Sequence, residues 1–385
     1  MIKNLLRIEI SPKRIYGLDL LRAMAILFVV FHHGQYILPK SMIVYHELFI
    51  FDGVSIFFVL SGFLIGGILI KIIENQKATR AVLFDFWIRR WFRTLPNYFL
   101  ILLVLTFYFL LTKENFYISN IKSYFIFSQN LYYEHPNFFP EAWSLSIEEW
   151  FYLLIPTGIF FLITFVRLKP KQSVLMCVVT IILLITIFRV YRYYDVNLNS
   201  YNDWNHFFRK QVITRLDSLM FGVIGAYIQF YNPRKWTQSK FLFLIIGVSL
   251  FIITKLLYVF HFIPAESFYN CVFSFTVTSL ATLALLPFLS QMKQGNGFIH
   301  KGVTIISLIS YSMYLINFTV VQGIIIKTIP WDSITRNHDL TILVKYGFFW
   351  LITVIGSILI YKYYEIPLTS LRDKKWVKKL AIKTK

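Results

Sequence analysis

The feature that most constrains this chain is the spacing of its apolar residues. They come in long blocks of roughly 18 to 24, the length an α-helix needs to cross ~30 Å of hydrocarbon. A soluble core would instead show short runs and amphipathic stripes. Ten blocks are read, at 16–38, 49–70, 95–111, 142–165, 173–190, 212–230, 241–260, 269–289, 303–326 and 341–361. They predict an all-α integral membrane protein of about ten transmembrane helices, with its spans inside 16–361 and a basic cytoplasmic tail at 362–385. Hydrophobic residues make up 57% of the 385 and charged ones only 15%, too little polar surface to disperse a soluble chain of this length. No connection is long enough for a separate domain. Residues 1–385 therefore read as one membrane domain.

The net charge of +20 raises nucleic acid as a partner, but its placement excludes that class. Alternate connections are basic. One face collects 26 of the 39 Lys and Arg residues, and the other collects 12, with Arg22 inside a span. That asymmetry is the positive-inside bias, and it predicts cytoplasmic N- and C-termini. The opposite connections, YYEHPNFFP (132–140), VNLNSYNDWNH (196–206) and PWDSITRNH (330–338), carry the Trp and Tyr of an interfacial belt. The start, MIKNLLRIEISPKRIYG, shows no cleavable signal pattern. The expected location is the inner (cytoplasmic) membrane, with the chain crossing many times. Cys177 and Cys271 both fall inside apolar blocks, and the eight histidines show no ligand spacing. No metal site and no permanently bound cofactor are expected.

Ionisable groups inside spans cost at least ~2.5–3.5 kcal/mol at a helix centre, so each needs a reason. The first block, YGLDLLRAMAILFVVFHHG, contains Asp19, Arg22, His32 and His33. Asp19 and Arg22 are three apart and can pair on one face. Arg22 and His33 are eleven apart, which is three turns plus ~20°, so both point the same way, ~16 Å apart along the axis. His32 is rotated ~100° from His33. An alternative makes the histidines an interfacial cap and lets Arg22 snorkel inward.

Two more segments stand out. AWSLSIEEWFYLLIP (142–156) puts Glu148 one to two turns into a span, at about the depth of His33. A carboxylate there can orient an imidazole and stabilise its protonated form, or it can be a structural partner for an arginine. FDFWIRRWFRTLP (84–96) interleaves Arg89, Arg90 and Arg93 with Trp87, Trp91 and Phe92 just before a span, and Pro96 suits the first turn of that next helix. The segment reads as an interfacial anchor or as guanidiniums that hold phosphate groups bidentately. Gly62 and Gly66 have the spacing of close helix packing. Arg215 and Asp217 in RLDSLMFG read as a structural ion pair, and Tyr364, Glu365 and Pro367 in YYEIP as a structural cap or an ion pair.

Together these segments resemble the membrane-bound acyltransferase 3 family, in order and over nearly the whole chain. Arg22 and His33 match its Arg-x10-His element. GVSIFFVLSGFLI resembles its second-span motif. Arg90 and Arg93 match its Arg-x-x-Arg element, and Trp143, Glu148, Phe151 and Tyr152 its Trp-Ser-Leu…Glu…Phe-Tyr element. RLDSLMFG, SYSMYL (310–315) and YEIP complete the set.

The resemblance implies a ten-helix membrane enzyme. It would take an acyl group from cytoplasmic acyl-CoA, expected to be acetyl-CoA as co-substrate, and deliver it to a hydroxyl of an envelope saccharide. His33 would be the essential imidazole, with Glu148 beside it. Arg22, Arg90 and Arg93 would serve the donor, with Asp19, Trp143, Tyr152, Arg215 and Asp217 in support. Ser55 stands where many relatives have Asp, and Asn317 where many have His. Some relatives carry a fused extracytoplasmic hydrolase-like domain. The last span here lies close to the end of the sequence, so the chain is expected to transfer the acyl group itself or to pass it to a separate extracytoplasmic partner. A polytopic transporter of a glycan or small solute is the alternative from another class, since polar residues in spans also mark substrate pathways.

Overall fold

The computed structural model describes residues 8–12, 14–113, 116–333 and 337–374. Among these there is no strand. The longer helices are α1 (Tyr16–Gly34), α2 (Lys40–Phe49), α3 (Gly53–Asn75), α4 (Arg80–Thr112), α5 (Ala142–Thr164), α6 (Pro170–Asp195), α7 (Val212–Tyr231), α8 (Lys240–Val259), α9 (Ser274–Leu289), α10 (Gly297–Ile316) and α11 (His338–Ile360). α10 continues into a π-helical stretch, Asn317–Ile326, and α11 runs on through Tyr361–Glu365 and Ile366–Leu371. Blocks of this length suit helices, in which every backbone polar group is satisfied internally, as hydrocarbon requires.

Among the described residues, eight helical segments are long and apolar enough to cross a membrane. The other two expected blocks also fold as helix. Block 212–230 becomes α7, with Arg215 and Asp217 inside it. Block 269–289 divides into a short turn of helix, Phe268–Val272, and the 16-residue α9. The last helix extends ten residues beyond its expected end, to Leu371. Residues 375–385 of the basic tail lie outside the described residues.

Pro96 does not open a helix. It lies inside α4, which runs uninterrupted for 33 residues and so carries Arg89, Arg90 and Arg93 within the helix rather than before it. A proline in a helix frees the carbonyl four residues earlier, here that of Phe92. The Thr369 hydroxyl donates to that oxygen at 3.3 Å. Pro156 inside α5 frees the carbonyl of Tyr152 in the same way, and the Trp87 indole N–H donates to it at 2.9 Å. Side chains from elsewhere thus replace the missing backbone donors, which is how membrane helices tolerate proline.

The chain forms two compact units. One comprises residues 8–54, 91–121 and 293–374. In it α1 packs along α10, and α10 and the π-helical stretch pack against α11. The other comprises residues 55–90 and 122–292. Its centre is α7, which packs against α5, α6 and α9, while α8 packs on α9. Gly62 and Gly66 of α3 meet α7 backbone to backbone, as their spacing predicts. A Cβ on Gly62 would lie 1.9 Å from the Leu219 carbonyl oxygen, and one on Gly66 3.1 Å from Val223 Cα. Gly222 of α7 returns the contact, its Cβ position being 2.0 Å from the Val59 carbonyl oxygen.

Candidate active site

In the first unit, α1 is one regular helix, so Arg22 and His33 do share a face, ~16 Å apart along its axis. Both are half-buried. His33 Nδ1 is 2.5 Å from Asn317 Oδ1. The Phe318 ring lies against the imidazole, with centroids 4.5 Å apart. Asn317 is fully buried and donates its own Nδ2 to the carbonyls of Met313 at 2.7 Å and Tyr314 at 2.9 Å. It opens the π-helical stretch, an irregularity often found at functional sites. Asp19 is buried and bonded to Arg14 and to the Ser307 hydroxyl at 2.8 Å. Sequence spacing offered it Arg22, whereas the chain just before α1 supplies Arg14.

Arg93 is exposed on α4 and within electrostatic reach of Glu365 and Tyr361. Glu365 accepts from Asn97 Nδ2 at 2.7 Å and from the Ser312 hydroxyl at 3.0 Å. The Tyr311 hydroxyl donates to the Thr94 carbonyl at 2.7 Å. Segments that the sequence presents separately, RRWFRTLP, SYSMYL and YEIP, are thus one hydrogen-bonded cluster on the Arg93 side of α4.

In the second unit, Glu148 is half-buried and accepts from the Ser61 hydroxyl at 2.9 Å and the Tyr152 hydroxyl at 3.2 Å. Arg89 is in an i,i+4 ion pair with Asp85 at 2.8 Å, which separates it from Arg90 and Arg93, the two arginines that match the family spacing. Arg90 is half-buried on the same helix. Trp143, buried at the start of α5, packs edge-on to Phe58 and lies under the Arg209 guanidinium, 5.1 Å from the ring centroid. Asn130 holds this end of α5 by donating to the Trp143 carbonyl at 3.0 Å and the Lys210 carbonyl at 2.5 Å. Lys210 is pushed down to about 8, mainly by burial and secondarily by Arg209. His135 is pushed down to about 3, again mainly by burial and then by Lys210, so it is neutral at physiological pH.

Asp217 accepts from Arg189 of α6 at 2.6 Å, both being fully buried. The sequence reading gave Asp217 to Arg215, and Arg189 was the partner it missed. The signal was present, since Arg189 closes the apolar block 173–190. Arg215 donates to the Ser55 hydroxyl at 2.6 Å and lies 4.0 Å from the Phe275 ring centroid. Ser55, the departure from the family pattern, is therefore a polar partner for an arginine.

Comparison with known proteins decides the family. The family model described as "Acyltransferase domain", of the acyltransferase 3 type, matches residues 15–362. The chain belongs to this acyltransferase family. It is 30% identical over 342 residues to the O-acetyltransferase OatA of Staphylococcus aureus strain NCTC 8325 / PS 47, covering 81% of this chain and 51% of that protein. The figures are the same for OatA of S. aureus strain COL. The chain thus spans about half the length of the curated relatives it matches. No solved structure matches it. The family match contains each of the residues His33, Arg22, Arg90, Arg93, Glu148 and Trp143.

Proposed function

We propose that this acyltransferase-family protein is a membrane O-acetyltransferase that moves an acetyl group from cytoplasmic acetyl-CoA to a hydroxyl of an envelope saccharide. The observation that carries the reading is an imidazole, His33, on the same face of a membrane helix as Arg22, inside a chain matched almost end to end by an acyltransferase model. Similarity to OatA, an O-acetyltransferase, supports acetyl and an oxygen acceptor.

In this mechanism His33 takes the proton of the acceptor hydroxyl as its oxygen attacks the thioester carbonyl. The carbon–sulfur bond breaks, the CoA thiolate leaves, and the imidazolium returns the proton to sulfur. Arg22, Arg90 and Arg93 serve the donor, and Glu148 is the catalytic carboxylate. The termini and the basic loops face the cytoplasm, and the membrane is the inner one.

Purified protein in nanodiscs, given acetyl-CoA and envelope glycan fragments, is expected to release free CoA and to add one acetyl group per acceptor by mass. Movement of the glycan across a bilayer without CoA release would replace this reading with a transporter. Arg90→Ala and Arg93→Ala are expected to raise the KM for acetyl-CoA, with Lys restoring binding only in part, because an ammonium cannot form the bidentate fork. An unchanged KM in both alanine variants would leave these arginines as membrane anchors.

A further inference from the structure

His33 has two ring nitrogens, and only one can be the base. In a neutral imidazole one nitrogen carries hydrogen and the other carries the lone pair, and the hydrogen bond at one nitrogen selects the other's role. Asn317 provides that bond. Its amide is the fixed partner, because both hydrogens on Nδ2 are committed to backbone carbonyls, those of Met313 and Tyr314. Carbonyl oxygens only accept. Turning the amide over would set Oδ1 against two carbonyl oxygens inside a fully buried site, where unpaired polar groups are costly. Oδ1 therefore faces His33 Nδ1, at 2.5 Å. An amide oxygen also only accepts, so the hydrogen of that bond belongs to Nδ1. Phe318, the next residue, packs against the imidazole and hinders it from turning away.

We infer that Asn317 is a positioning residue which locks His33 in the Nδ1–H tautomer and makes Nε2 the nitrogen that takes the acceptor proton. The inference rests on the proposed acyl transfer for its consequence, but not for its geometry. It assigns to a neutral amide on the π-helical turn after α10 the orienting part that sequence reasoning gave to Glu148. Asn317 supplies orientation without a counter-charge. The imidazolium formed in the first step keeps this neutral acceptor at Nδ1 and returns its proton from Nε2 to the leaving thiolate.

The test is a spectrum first and kinetics second. Protein labelled with 15N-histidine, in nanodiscs at a pH where imidazole is neutral, is compared with the His33→Gln variant to assign the His33 signals. The expected result is a protonated, pyrrole-like Nδ1 and a pyridine-like Nε2. The reverse pattern overturns the inference, and it does so whether or not the protein transfers acetyl groups. Asn317→Ala is expected to lower kcat by about 10- to 100-fold, the range found when a partner that orients a metal-bound histidine is removed, with the KM for acetyl-CoA within about twofold of wild type. Asn317→Asp keeps an acceptor for Nδ1–H, but its second oxygen replaces the Nδ2 donor to the Met313 and Tyr314 carbonyls, so it is expected to recover only part of that loss while keeping Nδ1 protonated. Wild-type kcat in Asn317→Ala, with His33→Ala inactive, would sink the tautomer lock while leaving acyl transfer standing. Inactivity of the wild type towards every acetyl acceptor would sink the transfer reading, while the spectrum still decides the tautomer.

Discussion

Adjacent histidines at the end of α1 offer a test at the scale of single residues. They differ by ~100° around the helix, and of the two only His33 shares a face with Arg22. A positioned general base contributes typically 10²–10⁴-fold, so His33→Ala should cut turnover by about that factor in membranes at matched protein levels. His32→Ala should cost much less. Glu148→Gln should fall between, since the amide keeps an acceptor for the Ser61 and Tyr152 hydroxyls but loses the charge. Equal losses at His32 and His33 would mean that helix face does not select the base. The Arg22–His33 relation was legible because a regular helix turns spacing directly into direction. The Asn317 contact was not. Its two residues lie 284 positions apart, and the departure from α-helical pitch at Asn317 defeats any face assignment carried forward from α10.

The apolar blocks fold as helices, and Pro96 marks a boundary that the structure moves. By sequence Pro96 suits a helix start, where a proline costs least. The structure instead leaves it inside α4 and caps the freed Phe92 carbonyl with Thr369. No local signal announces a donor that comes from so far along the chain. Pro156 and Trp87 repeat the device in α5, and this gives the aromatic of FDFWIRRWFRTLP a task besides anchoring. The pair makes a thermodynamic cycle. Trp87→Phe removes the donor and should destabilise by about 1–3 kcal/mol, the cost of an orphaned buried acceptor. Pro156→Ala restores a backbone N–H to the Tyr152 carbonyl, so Trp87→Phe should cost clearly less in that background. Thermal or denaturant unfolding in detergent reads all four corners, and equal costs in the two backgrounds would assign the Trp87 effect to packing alone.

At the scale of the whole molecule the open quantity is the number of crossings. Among the described residues eight segments pass on length and apolarity, whereas ten apolar blocks are legible in the sequence. Both numbers are even, so both put the termini on one face, and the disagreement concerns α7 and α9. Hydropathy measures fitness for contact with lipid, and α7 has little need of that. Thirteen of its twenty residues are buried in protein, Arg215 and Asp217 among them. The Asp217 charge is met by Arg189 and Arg215 is bonded to Ser55, which offsets much of the cost of charge at membrane depth. By contrast α8 buries only Gly247, and its exposed surface is strongly apolar, as a helix facing lipid requires. A shielded helix can cross with polar residues that an exposed one cannot carry. Crossing by α7 puts residues 199 and 234 on opposite faces. Asn199→Cys and Arg234→Cys are exposed positions, and the native cysteines are buried. A membrane-impermeant maleimide should label Asn199→Cys in intact cells and Arg234→Cys only in inverted vesicles. Phe262→Cys and Lys293→Cys make the matching pair around α9, with Phe262→Cys labelled from outside. If the two members of either pair react from the same side, the helix between them does not cross, and the positive-inside assignment of the loops beyond it has to be redrawn.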